Sequence, residues 1–440
     1  RTNFISFTLK LVPAKSLTHC PAYRRATTLL PRIIRSSINT KMADSYAQIP
    51  SGALVQPKAF RVSIEDEKVE ELKLLVKLGK IAKPTYESTQ KEHNYGITHQ
   101  WLTDAKDAWM KFDWRAAEKR INSFNHWKMP VHDTKGDFDM HFTGLFSTKA
   151  DAVPIVMVHG WPGSFLEYLG VLSILKDRYT SETLPYHVII PSLPGFTFSS
   201  KPPMERDFCI EDASRIINSL MVQLGFGSGY VIQGGDLGSM VARELATNYE
   251  ECKALHLNMC MIPEPSTVTG EVTEAEKQAL GRGEDFMTRG SAYAFTHGTR
   301  PSTIGLVLST SPLALLTWIG EKFRDWTDIE PPIDETLTSV SLYWLTDTYP
   351  TSIYEYRHIP GFGGPPGKPM PYISKPMSYS WLPKEVAPKP VAWVSTVGNL
   401  VHYKRHEGGG HFAAFERPEE LLGAVEEFVK QISADGSLKI

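Results

Sequence analysis

The residues best suited to chemistry lie in the segment GGDLG at positions 234–238, between a predicted strand and a predicted helix. The spacing G-x-nucleophile-x-G is typical of a nucleophile elbow, a turn too tight for side chains at its flanking positions. Asp236 holds the nucleophile position. A carboxylate is ionised at pH 7 without a base, and its attack on a saturated carbon forms an ester that water can cleave, whereas serine would leave an ether. The alternative is that Asp236 only caps the following helix.

A second motif, HGWPG, occupies positions 159–163. It follows the predicted strand that comes two before the elbow, which is where an oxyanion-binding loop is expected when the nucleophile sits on such an elbow. The alternative is an ordinary strand-to-helix turn with Pro162 in the first helical turn. Because both motifs occur in the expected order, together they favour the catalytic interpretation.

A third candidate is His411, which follows three glycines after the last predicted strand. This position completes the chain order nucleophile, acid, histidine. The acid should lie between the elbow and the histidine, on a loop after a late strand, and Glu385 meets that condition. Glu407 is closer to His411 in sequence, but the flexible glycine loop would make it an imprecise partner. Most isolated loop histidines are not catalytic, and only the position in this order favours a role for His411.

The elements that must position these residues follow from hydrophobic patterning. Four apolar runs predict buried parallel strands: VPIVMVHG, YHVIIPS, GYVIQGG and ALHLNMC. Amphipathic helical segments separate them, so the predicted fold class is α/β, with a mostly parallel sheet covered by helices on both faces. Strands are predicted to resume with MSYSWLP and VAWVSTV, and a helix over residues 418–432 ends the pattern.

Between and before these strands the pattern is helical and rich in aromatic residues. Residues 60–80 show helical spacing ahead of a tryptophan-rich stretch, which predicts an N-terminal layer packed on the rest. Residues 263–367 lack strand patterns, which predicts an inserted helical lid. The predicted organisation is an extension at 1–41, an N-terminal region at 42–150, the first part of the core at 151–262, the lid at 263–372 and the second part of the core at 373–440.

Composition excludes several classes of partner. The 440 residues carry 47 Lys and Arg against 49 Asp and Glu, a formal net charge of −2, so no overall field favours nucleic acid. The four cysteines form neither a C-x-x-C pair nor a metal-binding spacing, so no metal site is predicted and a reducing compartment is expected. The uncharged run at 301–320 contains Pro312 and predicts a buried helix, not a transmembrane anchor.

Residues 1–41 carry eight Lys or Arg and no Asp or Glu. That composition is typical of a mitochondrial transit peptide. The same residues contain no methionine before Met42, as translated upstream sequence would, and this leaves the cytoplasm as the expected location. The two interpretations stay open.

From about residue 55 to residue 432 the sequence resembles the epoxide hydrolases of the α/β-hydrolase superfamily, in the microsomal-type and fungal branch with an N-terminal extension. The matching stretches are FRVSIEDEKVEELK, INSFNHWK, HGWPGSFLEY, LPGFTFSSKPP, IQGGDLGS, SLYWLTD and GGHFAAFERPEEL. The resemblance implies hydrolysis of an epoxide to a vicinal diol, with roles in detoxification or aromatic hydrocarbon catabolism, and the aromatic content of the predicted lid indicates a lipophilic substrate. It implies no cofactor and no metal, and it makes a homodimer plausible.

The same resemblance implies roles for individual residues. Asp236 falls on the nucleophile, His411 on the base that activates water, and Glu385 on the acid that orients the imidazole. Tyr293 and Tyr356 fall on two lid tyrosines that donate hydrogen bonds to the epoxide oxygen, with Tyr354 as a neighbour that could be mistaken for the second. The backbone N–H groups of Trp161 and Leu237 are expected to form the oxyanion hole.

Two alternative functions of different kinds remain open. A haloalkane dehalogenase also uses an aspartate nucleophile, but its halide leaves without a proton donor, so the two tyrosines favour the epoxide. A hydrolase-fold protein that binds a ligand without turning it over would have lost at least one catalytic position. All the candidate positions are intact in this sequence.

Overall fold

The computed structural model describes residues 46–91, 95–268, 270–366 and 370–440, so the predicted extension at 1–41 lies outside the described residues. In these ranges nine strands form one sheet in the order β1-β2-β3-β5-β4-β6-β7-β8-β9. The strands are β1 (Lys58–Phe60), β2 (His126–Asp133), β3 (Gly136–Leu145), β4 (Val153–Val158), β5 (Tyr186–Pro191), β6 (Tyr230–Gly234), β7 (Cys252–Leu257), β8 (Ile373–Trp381) and β9 (Gly398–Arg405).

Strands β5, β4, β6, β7, β8 and β9 pair in parallel, whereas β1, β2 and β3 join the sheet in antiparallel fashion. The four apolar runs predicted as strands are β4 to β7, and their side chains are almost all buried. Parallel strands connected through helices are covered on both faces, which explains why these runs are continuously apolar. The prediction of an α/β fold with a mostly parallel sheet is confirmed.

Fifteen α-helices occur in the described ranges, and several of them pack on the two faces of the sheet. They are α1 (Asp66–Leu78), α2 (Tyr86–Thr89), α3 (His99–Lys111), α4 (Trp114–Ile121), α5 (Leu169–Arg178), α6 (Ile210–Met221), α7 (Asp236–Asn248), α8 (Glu274–Asp285), α9 (Ala292–Thr299), α10 (Pro301–Leu308), α11 (Pro312–Asp325), α12 (Ile333–Leu345), α13 (Val391–Val394), α14 (Ala413–Glu416) and α15 (Pro418–Ala434). Short 3-10 turns include Phe165–Tyr168 and Tyr354–Arg357.

The helical insertion lies between β7 and β8 and contains α8 to α12. The run at 301–320, predicted as one buried helix, forms two helices, because Pro312 starts α11 with Ser311 as its N-cap. Leu306 is 70% exposed in α10, so that part of the prediction was wrong. Within the described ranges no single helix is long and apolar enough to span a membrane, and the pair α10 and α11 meets that test only jointly, across a bend of 116°.

The segment VAWVSTV at 391–397 was predicted as a strand, and this prediction was wrong. Its first four residues form the one-turn helix α13, which begins after Pro390 and places Val394 in the core. The strand instead is β9, which starts at Gly398 and contains only half-buried and exposed residues after that glycine. An edge strand exposes one of its sides and needs no continuous apolar run. The apolar segment beside it therefore gave the stronger but misleading pattern.

The N-terminal region supplies three strands that the sequence pattern did not predict, and its helices pack on the insertion. Trp109 of α3 donates a hydrogen bond through Nε1 to the Ser341 hydroxyl of α12, at 3.0 Å. Arg120 of α4 forms a two-point ion pair with Glu335 of the same helix. The helices of the predicted N-terminal layer thus pack against the insertion and form hydrogen bonds and an ion pair with it.

Candidate active site

Asp236 is the first residue of α7 and follows β6 after a single intervening glycine. Its φ of +46° lies in the left-handed region, which aspartate tolerates better than most non-glycine residues. The Ser239 hydroxyl donates to the Asp236 carbonyl at 2.6 Å and holds this first turn. The Asp236 side chain does not cap the helix but points towards the HGWPG loop, where its Oδ1 accepts the Trp161 N–H at 2.8 Å.

The elbow glycine Gly238 lets α7 pack directly on the neighbouring strand. A Cβ at Gly238 would lie 2.0 Å from the Val158 carbonyl oxygen at the end of β4. Real Cβ atoms do not approach a backbone oxygen so closely. This contact joins the two loops that carry Asp236 and Trp161, since one follows β6 and the other follows β4, its direct neighbour in the sheet.

The HGWPG loop is anchored by its own histidine. The ring of His159 accepts the Leu193 N–H at Nε2 (3.2 Å), and its Nδ1 lies 3.1 Å from the Gly160 carbonyl. Burial lowers the pKa of His159 to about 4. The ring is therefore neutral at pH 7 and can accept one hydrogen bond while donating the other. Its role is to tie this loop to the segment after β5.

His411 lies between two carboxylates. Its Nδ1 is 2.7 Å from Glu385 Oε1, and its Nε2 is 3.4 Å from Asp236 Oδ2. Glu385 follows β8, its side chain is buried, and the same Oε1 accepts the Val386 N–H at 2.6 Å. Glu407, the sequence-adjacent alternative, is exposed. The structure thus brings Asp236, His411 and Glu385 together and leaves Glu407 in solvent.

The charge state of His411 depends on its two neighbours. Burial alone would lower its pKa, but the negative charges and hydrogen bonds of Glu385 and Asp236 raise the pKa of His411 well above its ordinary value. A histidine with a raised pKa is protonated at neutral pH. Removal of either negative charge should return the imidazole towards a neutral base.

Tyr293 of α9 and Tyr356 of the turn Tyr354–Arg357 are both buried beside Trp161. The Tyr293 ring stacks on the Trp161 indole at 5.2 Å between centroids, and the Tyr356 ring meets the indole edge-on at 6.0 Å. Burial and the charge of Asp236 raise the pKa of Tyr293. Burial, Tyr293 and Asp236 raise the pKa of Tyr356. Both phenols therefore remain protonated and lie within the electrostatic reach of the Asp236 carboxylate.

Tyr354 faces a different part of the molecule. Its ring packs edge-on against Phe208 at 5.0 Å. Burial and the neighbouring Glu355 raise its pKa, and the further contributions come from Cys209 and Asp212, not from Asp236. The structure therefore places Tyr356, not Tyr354, next to Asp236 and Tyr293.

The predicted oxyanion donors occupy two loops that meet at Asp236. The Trp161 N–H already donates to the carboxylate. Leu237 is the second residue of α7, and an N–H in the first helical turn has no partner within its helix. No group of three or more His, Cys, Asp or Glu side chains in the described ranges is arranged to hold a metal ion.

Sequence patterns missed His297, which packs against the tyrosine pair. Its ring lies 4.7 Å from the Tyr356 ring and 4.6 Å from the Trp161 indole. Its Nε2 is 2.9 Å from the Tyr349 hydroxyl, and burial lowers its pKa to about 3. The available signal was its position four residues after Tyr293, on the same face of α9.

We expect Gly238→Ala to lower the free energy of unfolding by about 3 kcal/mol, because the added methyl group overlaps the Val158 carbonyl. Gly423→Ala in α15 is the matched control, since a Cβ there meets no atom within 4 Å. That control should be neutral or stabilise by about 0.5–1 kcal/mol. Urea denaturation measures both, and equal stability of Gly238→Ala and wild type would contradict the close packing.

We expect Asp236→Asn to lower the pKa of His411, because it removes one of the two charges that raise it. An NMR titration of the His411 imidazole measures the effect. Asp177→Asn, at an exposed position in α5, is the control and should leave the titration unchanged. A His411 pKa that does not respond to Asp236→Asn would show that the two groups are not coupled.

Comparison with known proteins identifies the family and the fold. The family model described as "Epoxide hydrolase N terminus" matches residues 57–168, and the model described as "alpha/beta hydrolase fold" matches residues 153–293. A relative from Dothistroma septosporum is 44% identical over 394 residues, which cover 88% of this chain and 93% of the relative. Epoxide hydrolase 1 from Sus scrofa is 31% identical over 409 residues, which cover 84% of this chain and 88% of that protein.

Among solved structures, the epoxide hydrolase of Aspergillus niger superposes with a TM-score of 0.83 at 47% sequence identity. The match covers 88% of this chain and 100% of that chain. Sequence and structure therefore agree, and the chain belongs to the epoxide hydrolases, enzymes built on the α/β-hydrolase fold.

Proposed function

We propose that this enzyme converts an epoxide into a vicinal diol in two steps, through an ester between Asp236 and the substrate. The observation that carries the proposal is the contact of one carboxylate with an imidazole and with the Trp161 N–H, because two phenols pack on the ring of the same tryptophan. His411 Nε2 lies 3.4 Å from Asp236 Oδ2, and the Asp236 charge acts on both Tyr293 and Tyr356. A nucleophile, a base and two acids are thus gathered around one reacting site.

In the first step, Asp236 attacks one carbon of the strained ring, and the carbon–oxygen bond of the epoxide breaks. The oxygen takes a proton from Tyr293 or Tyr356, which leaves an alcohol and a tyrosinate. The raised pKa of each phenol keeps the proton in place until the substrate oxygen becomes basic. The product of this step is a neutral ester of Asp236.

In the second step, His411 removes a proton from water, and the hydroxide attacks Cγ of Asp236. Trp161 N–H and Leu237 N–H stabilise the resulting oxyanion by about 3 kcal/mol per donor. The bond between Cγ and the ester oxygen then breaks, and the departing alkoxide takes the proton from His411. The carboxyl proton that remains on Asp236 returns to the tyrosinate, so the sum is epoxide plus water to diol.

The first step also prepares the base for the second. In the free enzyme the charges of Asp236 and Glu385 raise the pKa of His411, and the ring is protonated. Ester formation removes the Asp236 charge, so the pKa of His411 falls, the ring loses its proton to solvent and a neutral imidazole becomes available. When hydrolysis restores the Asp236 charge, the ring takes a proton back from solvent. Glu385, at 2.7 Å from Nδ1, keeps the ring in the orientation that directs Nε2 to the ester.

The substrates are expected to be lipophilic, because aromatic rings surround the reacting carboxylate. Trp161, Tyr293 and Trp326 lie within 6.5 Å of one another by ring centroids. Such a surface binds apolar groups and offers few hydrogen bonds besides the two phenols. A styrene-oxide-like epoxide is therefore the appropriate test substrate.

We expect the first turnover in ¹⁸O-labelled water, with enzyme in excess of styrene oxide, to yield diol without label, because the incorporated oxygen comes from Asp236. The label should instead enter the Asp236 peptide. His411→Gln should accumulate the ester, detected as that peptide plus the mass of the epoxide. His132→Gln, at an exposed position, is the control and should accumulate none. Label in the first diol would instead indicate direct attack by water.

We expect Tyr293→Phe and Tyr356→Phe each to slow ester formation about 10-fold, and the double variant about 1000-fold, because one phenol can partly replace the other as proton donor. Single-turnover quench measurements give the rate. Tyr354→Phe is the matched control and should stay within about 2-fold, since its ring lies against Phe208. An unaffected double variant would show that neither phenol is the proton donor.

A further inference from the structure

A small cavity lies against the Asp236 carboxylate. Its volume is about 10 Å³, close to what one water molecule requires. The residues that line it include Asp236, His411 and Glu167, whereas neither Tyr293 nor Tyr356 is among the described residues that do so. The cavity is too small for an organic substrate, and it meets the nucleophile and the base but not the two proton donors.

Glu167 is the third titratable group at this cavity, and the mechanism above does not use it. It belongs to the turn Phe165–Tyr168, directly after the HGWPG loop. A Cβ at Gly163 would lie 1.4 Å from Glu167 Oε1, and a Cβ at Gly160 would lie 2.2 Å from Asp236 Oδ1. The two glycines of the loop therefore leave room for one carboxyl group each.

Glu167 also occupies the position of a helix-cap residue. Ser164 is the N-cap of the turn, and the spacing S-x-x-E is that of a capping box, in which the glutamate accepts the N-cap N–H. A backbone interaction with Ser164 lowers the pKa of Glu167, as expected for a cap of this kind. Such a cap needs only one oxygen of the carboxyl group. It does not account for the position of the carboxyl group at a cavity shared with Asp236 and His411.

The electrostatic environment links Glu167 to both of these residues. Burial raises the pKa of Glu167 to about 8, the charge of His411 lowers it, and the charge of Asp236 raises it. Ester formation on Asp236 removes the last of these three effects. The loss of the His411 charge that follows removes the opposing effect, which is the larger of the two, so burial is left as the main influence on the pKa of Glu167.

We propose that Glu167 is a positioning residue that holds the hydrolytic water in this cavity, beside the ester carbon of Asp236 and within reach of His411. The inference rests on the proposed two-step mechanism. Water donates one hydrogen to His411 Nε2 and the other to the free oxygen of Glu167, which directs an oxygen lone pair at Cγ. His411 then takes the proton as the bond to Cγ forms, and Glu167 gains and loses no covalent bond.

The test is Glu167→Gln, with the two steps measured separately. The amide oxygen can still cap Ser164, while the NH₂ group cannot accept a hydrogen from water. We expect ester formation within about 2-fold of wild type and ester hydrolysis slower by about 10-fold to 100-fold, with ester accumulation. The pH profile of the hydrolysis step should also lose one ionisation.

Glu276→Gln provides the matched control, because Glu276 is the capping-box glutamate of α8 with Thr273 as its N-cap. This variant should change neither rate. Equal slowing of both steps in Glu167→Gln, or a lower Tm with unchanged hydrolysis, would assign Glu167 to the cap alone and overturn the proposal. An absence of any ester in His411→Gln would instead overturn the two-step mechanism, so the two failures are distinguishable.

Discussion

One constraint shapes the site: a carboxylate has to remain ionised and reactive while most of its surroundings are protein. Burial of an unpaired carboxylate is costly, so the charge must be met by donors and positive charge. The Trp161 N–H and the His411 ring supply these at 2.8 and 3.4 Å. The left-handed backbone of Asp236, with φ of +46°, directs the side chain between them. A strained residue at a functional position is tolerated because its neighbours fix it from several sides.

The parallel sheet brings these partners together from distant parts of the chain. The carboxyl ends of parallel strands meet at one edge, and loops that leave this edge converge there. Trp161 follows β4, Asp236 follows β6, Glu385 follows β8 and His411 follows β9. The tyrosines arrive differently, on the insertion between β7 and β8. In the proposed mechanism the core thus supplies the groups that form and cleave the ester, and the insertion supplies the proton donors.

The sequence predicted the residues whose identity is tied to a local pattern. Asp236, Trp161 and His411 sit in short motifs at the ends of strands, so their placement follows from the order of strands and helices. Sequence reasoning preferred Glu385 to Glu407 because Glu385 follows a late strand, because the glycine loop is flexible and because the family resemblance implies it. The structure adds a direct contact of Glu385 with His411. The directions of Tyr354 and Tyr356 depend on the three-dimensional path of the insertion, which periodicity cannot supply.

Other features could not be predicted from the sequence, for different physical reasons. Edge strand β9 was missed because an exposed edge needs no apolar run, and the apolar segment before it was assigned as the strand instead. The hairpin of β2 and β3 alternates buried and exposed residues only in part, so its pattern is weak. Glu167 carries no sequence signal except its place three residues after a serine, which is typical of a helix cap. Its second role becomes visible only with its neighbours in space.

A single charge links the proposed steps in time. While Asp236 is ionised, its field raises the pKa of Tyr293, Tyr356 and His411, so all three hold their protons. Attack on the epoxide removes that charge as the substrate oxygen gains its own. The phenols then become more acidic when a proton is needed, and the imidazole becomes a free base when water must be activated. In this mechanism the order of events requires no conformational change, because the loss of the Asp236 charge changes the pKa of the two phenols and of the imidazole.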